Sequence, residues 1–145
     1  MGSFITLRTG PTASDFGIFI IPALSVGPAD ERYMFGGVGL AAAVAAAEQA
    51  SGRPLIWATA QYLAPMPSGH ELKLGVQVST EGRATSQIMV VGRHGDQEVL
   101  CVTAATGARG DTFKGQWLEM PRIPSPGACA PVSHWRGDDT GLHGQ

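Results

Sequence analysis

Charge is scarce in this chain. Lys, Arg, Asp and Glu make up 15% of its 145 residues, below the usual share of about 25%. So lean a surface implies that some face or edge is covered by a partner. A net charge of −2 offers no basic field for nucleic acid or for an anionic membrane. Two cysteines, Cys101 and Cys129, set no disulfide framework; Cys101 falls in an apolar run and reads as a core thiol. No Cys-x-x-Cys exists, and His70, His94, His134 and His143 lack metal-ligand spacing, so no metal is expected. The Gly-x-Ser-x-Gly elbow of the α/β-hydrolases is absent. No apolar run reaches the roughly 20 residues that span a bilayer. The first residues show no charged segment followed by an apolar one, so a soluble cytoplasmic protein is expected.

What is present centres on Phe35-Gly36-Gly37-Val38-Gly39-Leu40 and the alanine-rich stretch after it. From Val38 to Ala47 there is no polar side chain, which predicts a helix with no wet face over about 37–50. Ser51-Gly52 and then Pro54 supply the usual stop. A short helix of this kind needs something wrapped around it.

Strand signals surround it. Phe16–Ile21 is aromatic and β-branched, closed by Pro22; 1–15 reads as a polar lead and 22–34 as a charged loop. Leu55–Leu63 places Ile56, Ala58, Ala60 and Tyr62 on one face, Thr59 and Gln61 on the other. Leu72, Leu74, Val76 and Val78 alternate with Lys73, Gln77 and Ser79. Glu81-Gly82 turns into Ala84–Val91, and His94-Gly95-Asp96 into Val99–Thr106, predicting an antiparallel meander. Beyond Pro121 the composition turns to Pro, Gly and Ser without periodicity. The division expected is one domain over 1–115, then a linker or disordered tail over 116–145.

The glycines before the helix admit two readings. Unpaired N–H groups at a helix N-terminus can hold an anion or oxyanion; alternatively the glycines only let the helix approach a strand closely. The dinucleotide fingerprint does not apply, because its third Gly is missing.

The order strand, Phe-Gly-Gly plus helix, "QYLAPMPSG", then "VQVSTEGRATSQIMVVGRHGDQEVLCVTAATGAR" resembles the hotdog fold. More narrowly it resembles the N-terminal repeat of the type II acyl-CoA thioesterases, which carry two hotdogs in one chain. The likeness runs from Phe16 to Arg109, and Met120–Cys129 is similar to that family's linker. The resemblance implies an α+β hotdog, an antiparallel sheet of five or six strands wrapped around one buried helix. It implies acyl-CoA as substrate or ligand, no cofactor, and pairing with a second hotdog or a second copy. It places Gly36, Gly37 and Val38 beside the thioester carbonyl, with Ala58, Ala60 and Tyr62 shaping an acyl pocket. The family's catalytic Asp and Gln belong to the second repeat; their counterparts here fall near Ala58 and near Ala104 or Ala105. Thr80, Thr85 or Ser86 stands where a hydroxyl would. Catalytic residues are therefore unassigned, and two functions follow: a thioester hydrolase completed by a second hotdog, or an inactive acyl-CoA-binding or scaffolding subunit.

Overall fold

The computed structural model describes residues 5–108 and 115–129. The chain divides into two compact units, Met1–Asp111 and Thr112–Gln145. In chain order the first unit holds β1 (Arg8–Thr9), β2 (Asp15–Phe19), β3 (Ser25–Val26) and β4 (Tyr33–Met34). There follow α1 (Gly36–Ser51), β5 (Leu55–Tyr62), β6 (Glu71–Glu81), β7 (Thr85–His94) and β8 (Gln97–Gly107). Within the second unit, the described stretch contains one 3-10 turn at Pro126–Ala128. Residues 130–145, with His134 and His143 and the rest of the expected tail, lie outside the described residues.

Alternation is what builds the sheet. β6, β7 and β8 are long strands joined by short turns, and each pairs antiparallel with the next. The full order is β1-β2-β6-β7-β8-β5, every neighbour antiparallel. One edge is therefore the two-residue β1, the other the eight-residue β5. A bulge between Leu55 and Trp57 bends β5 near its start.

Inward side chains of four strands meet α1. Phe16, Ile18, Leu72, Leu74, Val76, Ile88, Val90, Leu100 and Val102 form one buried cluster with Ala42, Ala43, Ala46 and Ala47 of the helix. Gly39 lets the two layers approach. A Cβ there would lie 2.6 Å from Met34 Cε and 3.2 Å from Leu100 Cδ2. One helix packed on a six-stranded antiparallel sheet is the hotdog arrangement.

Three details differ from the sequence reading. The helix is buried on the sheet side only: Gly37, Ala41 and Gln49 are exposed. Cys101 lies beside Val91 and Gln61 on the outer face, half-buried, and is not a core thiol. Short strands β1, β3 and β4 occupy what reads as lead and loop. Among the described residues no helix is long and apolar enough to cross a membrane.

Candidate functional site

The two ends of α1 are built differently, and the N-terminal end is the open one. Its cap, Phe35, is extended and has no side-chain acceptor for the first amides; no acidic residue follows in the first turn. The Val38 N–H is engaged by the Phe35 carbonyl at 2.9 Å. No hydrogen-bond acceptor is found for the Gly36 or Gly37 N–H among the described residues. These amides, aligned with the helix dipole, carry partial positive charge.

Two aromatic side chains flank this turn. The Tyr62 hydroxyl donates to the Gly36 carbonyl at 2.8 Å. The Phe35 ring lies 2.8 Å from the position a Cβ on Gly37 would take. Both rings are exposed, Tyr62 at 53% and Phe35 at 57%, so neither is merely core.

A cavity of about 370 Å³ opens beside the turn, lined by Tyr33, Met34, Gly36, Tyr62, Leu63, Ala64, Pro65, Met66 and Val99. None of these nine carries a carboxylate, an imidazole or a thiol. Tyr33 and Tyr62 bring the only side-chain hydroxyls. Tyr33 donates to Glu31 Oε1 at 2.8 Å. That hydrogen bond, the Glu31 charge and partial desolvation hold the phenol above its ordinary value of 10.0. The cavity is thus an apolar receptacle with no general base on its wall.

Of the six expected site residues, Gly36 and Tyr62 border this cavity. Gly37 sits exposed on the same helical turn, and Val38 is buried beneath it. Ala58 and Ala60 lie on the same inward face of β5 as Tyr62, half-buried against the core. Across the β5–β8 pair Ala58 faces Ala104, and Ala60 faces Val102. Tyr33, Met34, Met66 and Val99 were not legible as site residues. They come from a short strand, a loop and a strand end, which share no sequence period.

The candidate hydroxyls sit elsewhere. Ser86 is buried against Arg53 Nη1 at 3.2 Å, near the C-terminal end of α1. Thr85 pairs with Gly107 and Thr80 with Gln87, at the same end of the sheet. A larger cavity of about 430 Å³ lies over β1, β2, β6 and β7, lined by Arg8, Asp15, Glu71, Lys73 and Arg93 among others. Glu71 and Glu98 pair with two of its three cations, and no helix residue reaches it. His70 and His94 meet edge to face with centroids 4.7 Å apart. No group of three or more His, Cys, Asp or Glu placed to hold a metal occurs among the described residues.

A curled antiparallel sheet on one helix, with an apolar cavity at that helix's open end, defines a hotdog domain of the thioesterase class. A family model for the acyl-CoA thioesterase N-terminal domain matches residues 27–110, and the chain belongs to that family. Among solved structures, a protein of Novosphingobium aromaticivorans described as a thioesterase is 31% identical. The match covers 89% of this chain and 51% of that one, with a TM-score of 0.82. The tesB protein of Mycobacterium avium subspecies paratuberculosis is 25% identical over 83% of this chain and 46% of that one, TM-score 0.69. This chain therefore spans about half the length of these two relatives. A Streptococcus mutans protein bound to acetyl-CoA shares the fold at 14% identity, covering 78% and 96% of the two chains, TM-score 0.63. No curated protein matches the chain.

Proposed function

We propose that this chain is the substrate-binding half of an acyl-CoA thioesterase, receiving the thioester at the N-terminal end of α1. The observation that carries this reading is an apolar cavity opening directly beside helix amides that lack acceptors. Gly36 and Gly37 would donate to the thioester oxygen, and Val38 N–H could join them by releasing its bond to Phe35. Such preorganised donors act on the charge that grows as the carbonyl becomes tetrahedral. Ala58, Ala60 and Tyr62 shape the acyl side.

Hydrolysis also needs a group to take a proton from the attacking water. The cavity wall supplies none, and by resemblance the second repeat's Asp and Gln correspond to positions near Ala58 and near Ala104 or Ala105, which carry no acid–base group. The catalytic set accordingly comes from a second hotdog. The β5 edge is where that partner would pair, because it leaves backbone groups open and exposes Ile56, Trp57 and Tyr62. Residues 116–145 then serve as the linker toward it. The same two alanines favour a second reading, a non-catalytic acyl-CoA-binding or scaffolding subunit.

Calorimetry with a non-hydrolysable acyl-CoA, alongside a turnover assay on the 145-residue chain, tests the proposal. Binding with little or no turnover is expected. Rapid turnover by this chain alone would overturn the division of labour, and absence of binding would overturn the site. Turnover restored by a second hotdog carrying Asp and Gln separates the hydrolase from the scaffold.

A further inference from the structure

Tyr62 stands between an apolar cavity and an alanine-bearing stretch of β5. On one side is the 370 Å³ cavity, walled by Met34, Met66 and Val99. On the other, β5 offers the inner face only methyl groups, Ala60 and Ala58, before the bulge between Leu55 and Trp57. The trough over these alanines is shallow but not filled, since both remain partly accessible. Beneath it Leu100, Val102 and Val90 are fully buried, together with Ala42 and Ala43 of the helix. No room continues there. An acyl chain that outgrows the cavity and stays on the inner face must therefore pass Tyr62.

That side chain is tied down although half its surface meets solvent. Its ring lies 3.3 Å from where a Cβ on Gly36 would be. Its hydroxyl is bonded to the Gly36 carbonyl. An exposed aromatic on an edge strand ordinarily reorients freely on the ps–ns timescale; here a hydrogen bond and the first helical turn fix it across the passage.

We propose that Tyr62 sets acyl-chain length: latched to Gly36, it confines the acyl group to the cavity and shuts the way to Ala60 and Ala58. Affinity then stops rising once the acyl chain fills the cavity. This rests on the acyl-CoA reading above and goes further by assigning its selectivity to one side chain.

The test is a series of thioether analogues of acyl-CoA, acetyl to dodecyl in chain length, titrated calorimetrically into the 145-residue chain. In the unmodified chain the Kd falls about fourfold per added methylene until the cavity is full, then levels off. Tyr62→Ala moves that break by two or more methylenes, a gain of about sixteenfold or more for longer analogues. Tyr62→Phe keeps the ring without the latch and moves the break the same way by less. Adding Ala60→Leu to Tyr62→Ala refills the trough and returns the break to its original length. This last result is one that a merely structural Tyr62 would not give. A break unmoved in Tyr62→Ala, or one left shifted after Ala60→Leu, overturns the proposal while leaving acyl-CoA binding intact. No binding by any form, the unmodified chain included, overturns the acyl-CoA reading and this inference together.

Discussion

The C-terminal end of α1 is finished where the N-terminal end is bare. Gly52 takes the left-handed conformation at φ 64° and its N–H closes on the Glu48 carbonyl. Ser51 Oγ donates to the Ala47 carbonyl at 2.8 Å and accepts from Thr106 Oγ1 at 2.9 Å. The Glu48 carboxylate accepts the Leu55 N–H at 2.8 Å, tying the helix to β5. Arg53 donates to the Gly82 carbonyl and to Ser86 Oγ, with Glu81 3.8 Å away. Buried Ser86 and Thr106 are satisfied there, and no buried side-chain N or O lacks a partner among the described residues. The contrast separates the end that bears load from the end that, in the function proposed above, receives a ligand. Buried polar groups are paired wherever the fold depends on them, whereas the Gly36–Gly37 amides can rely on water until something better arrives.

The contrast can be broken most severely at the finished end. Arg53→Ala would leave Ser86 buried without its donor and remove the charged bond to Gly82. It should cost about 2–3 kcal/mol in urea denaturation while leaving affinity for an acyl-CoA analogue nearly unchanged. A large loss of affinity would mean that the two ends are not independent.

Finishing the bare end should do the reverse. Phe35→Ser provides a side-chain acceptor for the first-turn amides, and it sacrifices little burial because Phe35 is already exposed. A gain of about 1 kcal/mol in thermal or urea unfolding is expected, together with weaker binding of the analogue. Stabilisation without loss of binding would show that those amides do not meet the ligand.

The smallest effect concerns Tyr33, just before the helix. Its phenol is held above 10.0 chiefly by the bond to Glu31, then by the Glu31 charge. A folded-state value above the unfolded one stabilises the protein below pH 10. That contribution disappears as the pH rises through the folded value. Tyr33→Phe should therefore narrow its stability gap to the unmodified chain above pH 10, and a gap constant across that range would remove Glu31 from the account.

Much of this was legible in the residues. Strict alternation in β6 and the turn signals around β7 and β8 gave the meander, and Gly52 with Pro54 marked the helix end. The helix's environment was harder to read. A stretch of alanines carries no polar mark to show which side is wet, so exposed Ala41 looks like buried Ala42. Cys101 was misplaced because Val99-Leu100-Cys101-Val102 is apolar throughout and hides the alternation that turns its thiol outward. Two-residue strands such as β1, β3 and β4 are too short to display any period. The polar cluster of Ser51, Arg53, Ser86 and Thr106 was invisible for another reason: its members are up to 55 positions apart and meet only after the sheet closes.

The unequal margins of the sheet decide how far association can proceed. If a partner strand adds along β5, as proposed above, it occupies a long row of free backbone groups, and the two-residue β1 at the opposite margin of the described sheet offers little ladder to seed another addition. In that reading growth by this route would end once two sheets had joined, and the same margins that invite a companion would guard against open-ended filaments.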